Sequence, residues 1–269
     1  MTEVIEVRPK PGPQTDFLAT SADIAFFGGR AGTGKTRIVC HDCLRWVHLR
    51  GFVAAYFRRD AQRFDALWEE QSKLFPLRGG IGARNDLRWR FPSGARVQCF
   101  GLRGLDVDRE KHRGPRYGCI YFEEVTEISE ADFFFLVSRN GSTIPGFRSY
   151  VRATCNPQAK GWVRTFLDWW IGTDGYPIRE RCGVLRWFVR TDANRFEWAD
   201  TREELVERFP DRAPLSVTFI PGGEIVEELG EEYRAKLAKG SAVTVSINGV
   251  GQGRYIIQEV ERAISTADG

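Results

Sequence analysis

Residues 28–36 read Gly28-Gly29-Arg30-Ala31-Gly32-Thr33-Gly34-Lys35-Thr36, and from Gly29 onward the spacing is G-x-x-x-x-G-K-T. Glycines let a loop curl until successive backbone N–H groups point inward at one anion. A lysine directly after them supplies a point charge for the β- and γ-phosphates of a nucleotide, and the next hydroxyl can ligate Mg²⁺. A helix starting at Lys35 aims the positive end of its dipole at the same place. The flanks agree: Ile24-Ala25-Phe26-Phe27 is a short apolar run suited to a buried strand, and Thr36 to Leu49 has a helical pattern. A chance glycine-rich turn would need neither flank. Gly29, Arg30, Ala31, Gly32, Thr33, Gly34, Lys35 and Thr36 are therefore read as a loop that grips a nucleoside triphosphate, with Lys35 acting in catalysis and Thr36 on the metal.

Such a loop needs carboxylates beside it. Tyr117 to Phe122 is an apolar strand that ends in Glu123-Glu124. The first carboxylate, Glu123, is placed to hold Mg²⁺, mostly through water because that ion dehydrates reluctantly. The second, Glu124, is placed to polarise the attacking water as general base. A strand ending in acids is common by itself; paired with the loop it points to ATP hydrolysis coupled to work.

The remaining segments alternate strand and helix patterns, which implies an α/β architecture with a mostly parallel sheet. Phe52 to Phe57 is a second apolar run ending in Arg58-Arg59-Asp60, and Ala61 to Phe75 has helical spacing. Arg58 and Arg59 at a strand's C-terminal end suit contacts to DNA or phosphates, or surface ion pairs. Residues 87–91 and 95–100 alternate around Pro92-Ser93-Gly94 and read as a hairpin, with residues 101–114 as a loop. Ala131 to Val137 reads as a helix that releases Arg139 into a glycine turn. That arginine suits either a neighbouring subunit's γ-phosphate or a helix C-terminus favoured by the dipole. Tyr150 to Cys155 is another strand, whose polar tip, Thr154 to Asn156, can sense a γ-phosphate. Gln14 precedes the loop by about fifteen residues; its amide both donates and accepts, as an adenine edge requires, while by itself a surface role is the plainer reading.

Past residue 172 the texture changes: strand-like runs at 184–190 and 215–220 flank a charged helix at 201–209, and a further helix is expected over 231–239. The expected division is an ATPase core over 1–172, a lid subdomain over 173–240 and a linker or poorly committed end over 241–269.

Composition sets outer bounds. A chain of 269 residues, 42% hydrophobic with 19 Phe and 8 Trp, can bury a large core. No apolar run approaches the roughly 20 residues that span a bilayer, so no membrane partner is expected. Six scattered cysteines, with Cys40 and Cys43 inside a predicted helix, are read as free thiols of a reducing cytosol. Basic residues outnumber acidic ones 21 to 13 in residues 1–120 and trail them 18 to 23 in residues 121–269. Arginine outnumbers lysine 32 to 7, which suits a polyanion partner and equally an arginine-rich genome.

The ordered set resembles the ATPase domain of the large terminase subunit of tailed double-stranded-DNA bacteriophages. It is carried by Gln14, GGRAGTGKT with Arg30 inside the loop, FRRD at 57–60, YFEE at 121–124, Ser138-Arg139, ATCNP at 153–157 and SVTFIP at 216–221, over roughly residues 10–225. The resemblance implies a P-loop NTPase of the additional-strand, catalytic-glutamate type with a small lid subdomain. It implies ATP and Mg²⁺ as ligands, with Gln14 on adenine, Thr36 and Glu123 at the metal, and Thr154, Cys155 and Asn156 as the coupling motif. Arg139 matches an arginine that acts in trans, and Arg30 is its rival in cis. Double-stranded DNA, a portal protein, a small terminase subunit and further copies of the chain, as a pentamer on the portal or a monomer in isolation, are the implied partners. The implied place is the host cytoplasm, at the procapsid. A helicase-like or remodelling ATPase is the alternative. Glu123 departs from the family's usual Asp. No acidic cluster after residue 225 supplies the family's nuclease, so a truncated ATPase domain without DNA cleavage is expected.

Overall fold

Strands covered on both faces need not alternate, and the central strands of this chain do not. The computed structural model describes residues 9–29, 32–102, 110–156, 158–193 and 195–222. In chain order the elements are α1 (Pro13–Ala19), β1 (Ile24–Gly28), α2 (Lys35–Leu44), β2 (Val53–Arg58), α3 (Asp65–Leu74), β3 (Ile81–Ala83), β4 (Arg88–Arg90) and β5 (Arg96–Gly101). They continue with β6 (Cys119–Phe122), α4 (Glu130–Val137), β7 (Tyr150–Cys155), α5 (Trp162–Phe166), β8 (Arg186–Arg190), β9 (Phe196–Ala199), α6 (Arg202–Arg208) and β10 (Leu215–Pro221). Every residue of β1, β6 and β7 is buried.

All the strands join one ten-stranded sheet in the order β3-β4-β5-β2-β6-β7-β1-β10-β8-β9. From β5 to β10 the neighbours run parallel; the outer strands pair antiparallel. β7 lies between β1, which feeds the glycine loop, and β6, which feeds Glu123 and Glu124. Register aligns their ends: Gly28 pairs with Cys155, Phe122 with Ala153 and Phe57 with Phe122. The glycine loop, both glutamates, Arg58 and the tip of β7 thus emerge from one edge of the sheet, where open α/β sheets bind ligands.

Alternation along the strands builds two cores. On one face α1, α2 and α3 pack against Phe27, Tyr56, Val97 and Tyr121; on the other α4 and α5 pack against Phe26, Phe57, Phe122 and Val217. A buried carboxylate ties the first layer together. Asp42 of α2 accepts hydrogen bonds from Tyr121 at 2.9 Å and Tyr150 at 2.7 Å, and Arg45 lies at 3.1 Å. A charge so enclosed is tolerable only with such partners, and they fasten α2 to β6 and β7.

The expected strands and hairpin are present, and the helix expected from Thr36 to Leu49 runs from Lys35 to Leu44 before turns take over. α1, β3 and β9 were not expected. Residues 173–222 of the expected lid contribute β8, β9 and β10, which continue the core's sheet, with β10 directly beside β1. The helix expected at 231–239 and the end from 241 lie outside the described residues. All six cysteines are free thiols, and no described helix is long and apolar enough to cross a membrane.

His41, in α2, is buried, and burial together with Arg37 lowers its pKa to about 4. A depressed pKa contributes stability that is full above the unfolded value near 6.5 and is lost as pH falls toward about 4. Wild-type melting temperature should therefore drop more steeply between pH 7 and 4.5 than that of His41→Gln. Parallel profiles would show that His41 does not titrate in this window.

Candidate active site

The glycine loop is held from both sides. Gly29 N–H donates to Cys155 O at 3.1 Å, and Gly222 N–H, just past β10, donates to Gly28 O. Gly32 and Gly34 have φ of 86° and 79°, which a side chain would resist, and a Cβ on Gly34 would lie 2.4 Å from Gln14 Nε2. Gly34 also precedes α2 without a side-chain cap, so the first amides of the helix remain for an anion. Lys35 Nζ donates to Gly29 O at 2.6 Å, folding the ammonium back over the loop. Burial lowers its pKa, opposed by the nearby Cys155, Glu124 and Glu123. Arg30 and Ala31 lie outside the described residues.

Across from Lys35, Glu123 is 3% exposed, deep enough that burial raises its pKa. A hydrogen bond from the Thr36 hydroxyl and the charges of Arg58 and Lys35 pull it the other way. Glu124 has φ 51° and ψ 54°, the left-handed region that non-glycine residues rarely enter. Strain of this kind persists only where surrounding contacts impose it, and it collects at functional sites. Here the Glu124 N–H points at Thr154 Oγ1, 3.3 Å away on the tip of β7. Thr154 in turn donates to Phe122 O at 3.4 Å.

Arg58, at the end of β2, bridges the two acids. Its Nη1 lies 3.3 Å from Glu123 and its Nη2 2.7 Å from Glu124, with 11% of its side chain exposed. The sequence marks Arg58 only as a strand-end arginine; what locates it is the register that sets the preceding Phe57 against Phe122, one residue before the glutamates.

The structure therefore brings together Lys35, Thr36, Glu123, Glu124 and Thr154, with Asn156 and Cys155 lining a cleft beside Gly28 and Gly29. Gln14 also reaches the loop, but its amide is engaged there: Oε1 accepts from Lys10 N–H at 2.9 Å and Nε2 donates to Thr33 O at 3.2 Å. Arg139 lies apart. Its carbonyl accepts from Tyr117 N–H at 3.1 Å, and its guanidinium donates to Arg113 O at 2.9 Å. Tyr117 precedes Glu123 by six extended residues, about 20 Å along the strand direction. Arg139 sits at the opposite edge of the sheet and cannot reach its own chain's glutamates.

A strand intercalated between the glycine-loop strand and the glutamate strand, with these groups at its end, defines a P-loop nucleoside-triphosphatase fold of the additional-strand type. The family model described as terminase large subunit, T4likevirus-type, N-terminal, matches residues 26–247. The chain belongs to this terminase large-subunit family. Among solved structures it is similar to the large terminase of a thermophilic bacteriophage at 16% identity, covering 56% of this chain and 40% of that one, with a TM-score of 0.47. The bacteriophage HK97 large terminase matches at 12% identity over 60% of this chain and 36% of its own, TM-score 0.47. The N-terminal domain of the DNA packaging ATPase from bacteriophage phi29 matches at 12% identity over 69% and 93%, TM-score 0.45. The chain thus spans about two fifths of the two large terminases. No curated protein matches it.

Replacing Arg58 by Ala leaves two adjacent carboxylates, one of them buried, without their shared cation. The expected loss is about 3 kcal/mol of unfolding free energy, the low end for an uncompensated buried charge, read by urea denaturation. An unchanged midpoint and slope would show that the bridge carries no net stability.

Proposed function

We propose that this chain is the ATPase motor domain of a viral DNA-packaging terminase, hydrolysing ATP to drive double-stranded DNA into a capsid. The observation that carries the reading is the convergence of Lys35, Thr36, Glu123 and Glu124 at one sheet edge, beside a strained glutamate backbone. Family membership supports the packaging role. In this reading the loop amides and Lys35 bind the β- and γ-phosphates. Thr36 and Glu123 are side by side and offer only oxygen, a donor set that fits Mg²⁺. When bound, that ion would neutralise charge on the phosphate oxygens. Glu124 accepts a proton from the water whose oxygen attacks the γ-phosphorus, while the bond to the β–γ bridging oxygen breaks and ADP leaves with the electron pair. Arg58 holds the two glutamates apart and oriented before the nucleotide arrives.

Thr154, Cys155 and Asn156 form the coupling tip: β7 bonds to the glutamate backbone through Thr154 and to the loop through Cys155 O. Within residues 173–240, the segment of β8 and β9 at the far side of the sheet takes the lid role, while β10 belongs to the core sheet and delivers the chain to the loop's edge. Gln14 holds the loop at Thr33 and would exchange that bond for the adenine edge. Arg139 supplies the trans arginine of a ring, most simply a pentamer on the portal, in the host cytoplasm and with the small terminase subunit as a further partner. Its distance from its own glutamates favours trans over cis action. Arg30 remains the rival from within the loop.

Two variants separate binding from chemistry. Lys35→Ala should weaken binding of a fluorescent ATP analogue at least tenfold. Glu124→Gln should bind the analogue as wild type does and release phosphate at least a hundredfold more slowly, as loss of a general base implies. Normal phosphate release by Glu124→Gln would remove Glu124 from the base role, and turnover absent from the wild type with Mg²⁺ at concentrations where the chain self-associates would remove the ATPase reading altogether.

A further inference from the structure

The β3 edge of the sheet carries a charge arrangement that the nucleotide site does not use. β4 and β5 pair antiparallel, with Trp89 opposite Val97. These side chains point toward the α3 layer, where Trp89 stacks on Trp68 and meets Phe75 edge-on. By strand alternation the other face presents Arg88, Arg90, Arg96 and Gln98, joined by Ile81 and Ala83 of β3. Ile81, Ala83, Arg90 and Arg96 are exposed.

Register sets Arg90 directly opposite Arg96. Such pairs stand about 4.5–5.5 Å apart at Cβ, and like charges there are destabilising. Arg88 has Asp86 at 2.6 Å, but neither guanidinium of the opposed pair has a hydrogen bond or ion pair among the described residues. Two further arginines stand at the same end. Arg96 N–H donates to Phe52 O at 2.9 Å, and Gly118 N–H donates to Val53 O at 2.8 Å. Arg50, in the turn entering β2, and Arg116, two residues before Gly118, are exposed and likewise unpaired among the described residues. This is the N-terminal end of the parallel strands, about 17 Å along β2 from Arg58 and the glutamates.

We propose that Arg50, Arg90, Arg96 and Arg116 form a phosphate-binding face that holds the backbone of duplex DNA; the choice of DNA rests on the packaging reading above. A guanidinium offers a planar donor fork that matches a phosphate, and an opposed pair without acids is relieved by a polyanion. Guanidinium contacts to phosphate carry no sequence information, so the face contacts backbone. Its place opposite the nucleotide site lets DNA be gripped without blocking ATP.

The test is anisotropy of a short labelled duplex titrated with the full chain from about 50 to 200 mM salt. Arg90→Ala/Arg96→Ala should lower the slope of log affinity against log salt by about 1.8, and Arg50→Ala or Arg116→Ala by about 0.9 each, one phosphate contact apiece. The double variant should bind at least tenfold more weakly at low salt, while its ATP-analogue affinity is unchanged and its melting temperature is equal or higher. Equal slope and affinity in the double variant, with wild type binding duplex, would overturn this face and leave the packaging reading standing. A wild type that binds no duplex at low salt would overturn it as well, the packaging reading then being judged by phosphate release. Displacement of duplex by polyglutamate as effectively as by unlabelled duplex would reassign the face to an acidic protein surface.

Discussion

The in-register parallel ladder of β2, β6, β7 and β1 is the constraint on which the site depends. Each strand contributes a group at its end, and none of those groups contacts the others by virtue of sequence proximity. Because Phe57, Phe122, Ala153 and Phe26 lie in one row, with Gly28 beside Cys155 two residues further, Arg58, Glu123, Thr154 and the glycine loop emerge at the same end. A slip by one residue would turn every side chain to the other face and separate Arg58 from both glutamates. Burial of Phe26, Phe57 and Phe122 on one side and Phe27, Tyr56 and Tyr121 on the other fixes that register.

Within this frame the electrostatics are tightly coupled. Glu123 is taken out of water where a carboxylate is costly, and the offsetting partners are a hydroxyl and a lysine from the start of α2 and an arginine from the end of β2. Thr154 links this cluster to β7, and β7 holds the loop through Cys155 O. A change at the loop therefore has a bonded route to the glutamate backbone. Asp42 adds a second tie beneath, from α2 to β6 and β7 through two tyrosines.

Much of this was legible in the sequence because the chemistry is local. A loop that must point its amides inward needs glycine at Gly32 and Gly34, and the strands on either side must be apolar along their whole length. The glutamate pair, the hairpin and most helices announce themselves in the same way. What stayed hidden rests on distant pairing. Nothing near Arg58 indicates that it bridges two acids 65 and 66 residues away. Nor does anything near Leu215 place β10 beside β1, and so the strands expected in a lid turned out to share the core's sheet. α1 has only seven residues and begins at a proline, too short for a periodic signal. Gln14 was singled out for adenine, and its engagement with Thr33 became visible only in the folded loop.

The two ends of the parallel strands differ: one gathers the glycine loop and both glutamates, and the other presents arginines, Arg139 among them, about 20 Å away. In the reading proposed here, each site needs its neighbour. The direct measurement is ATP turnover per subunit against protein concentration, for wild type, for Arg139→Ala, and for Arg139→Ala mixed with Glu124→Gln. Turnover that climbs with concentration, is lost in Arg139→Ala and partly returns in the mixture is what shared sites predict. Turnover independent of concentration and indifferent to Arg139 would contradict the account and describe a self-contained site.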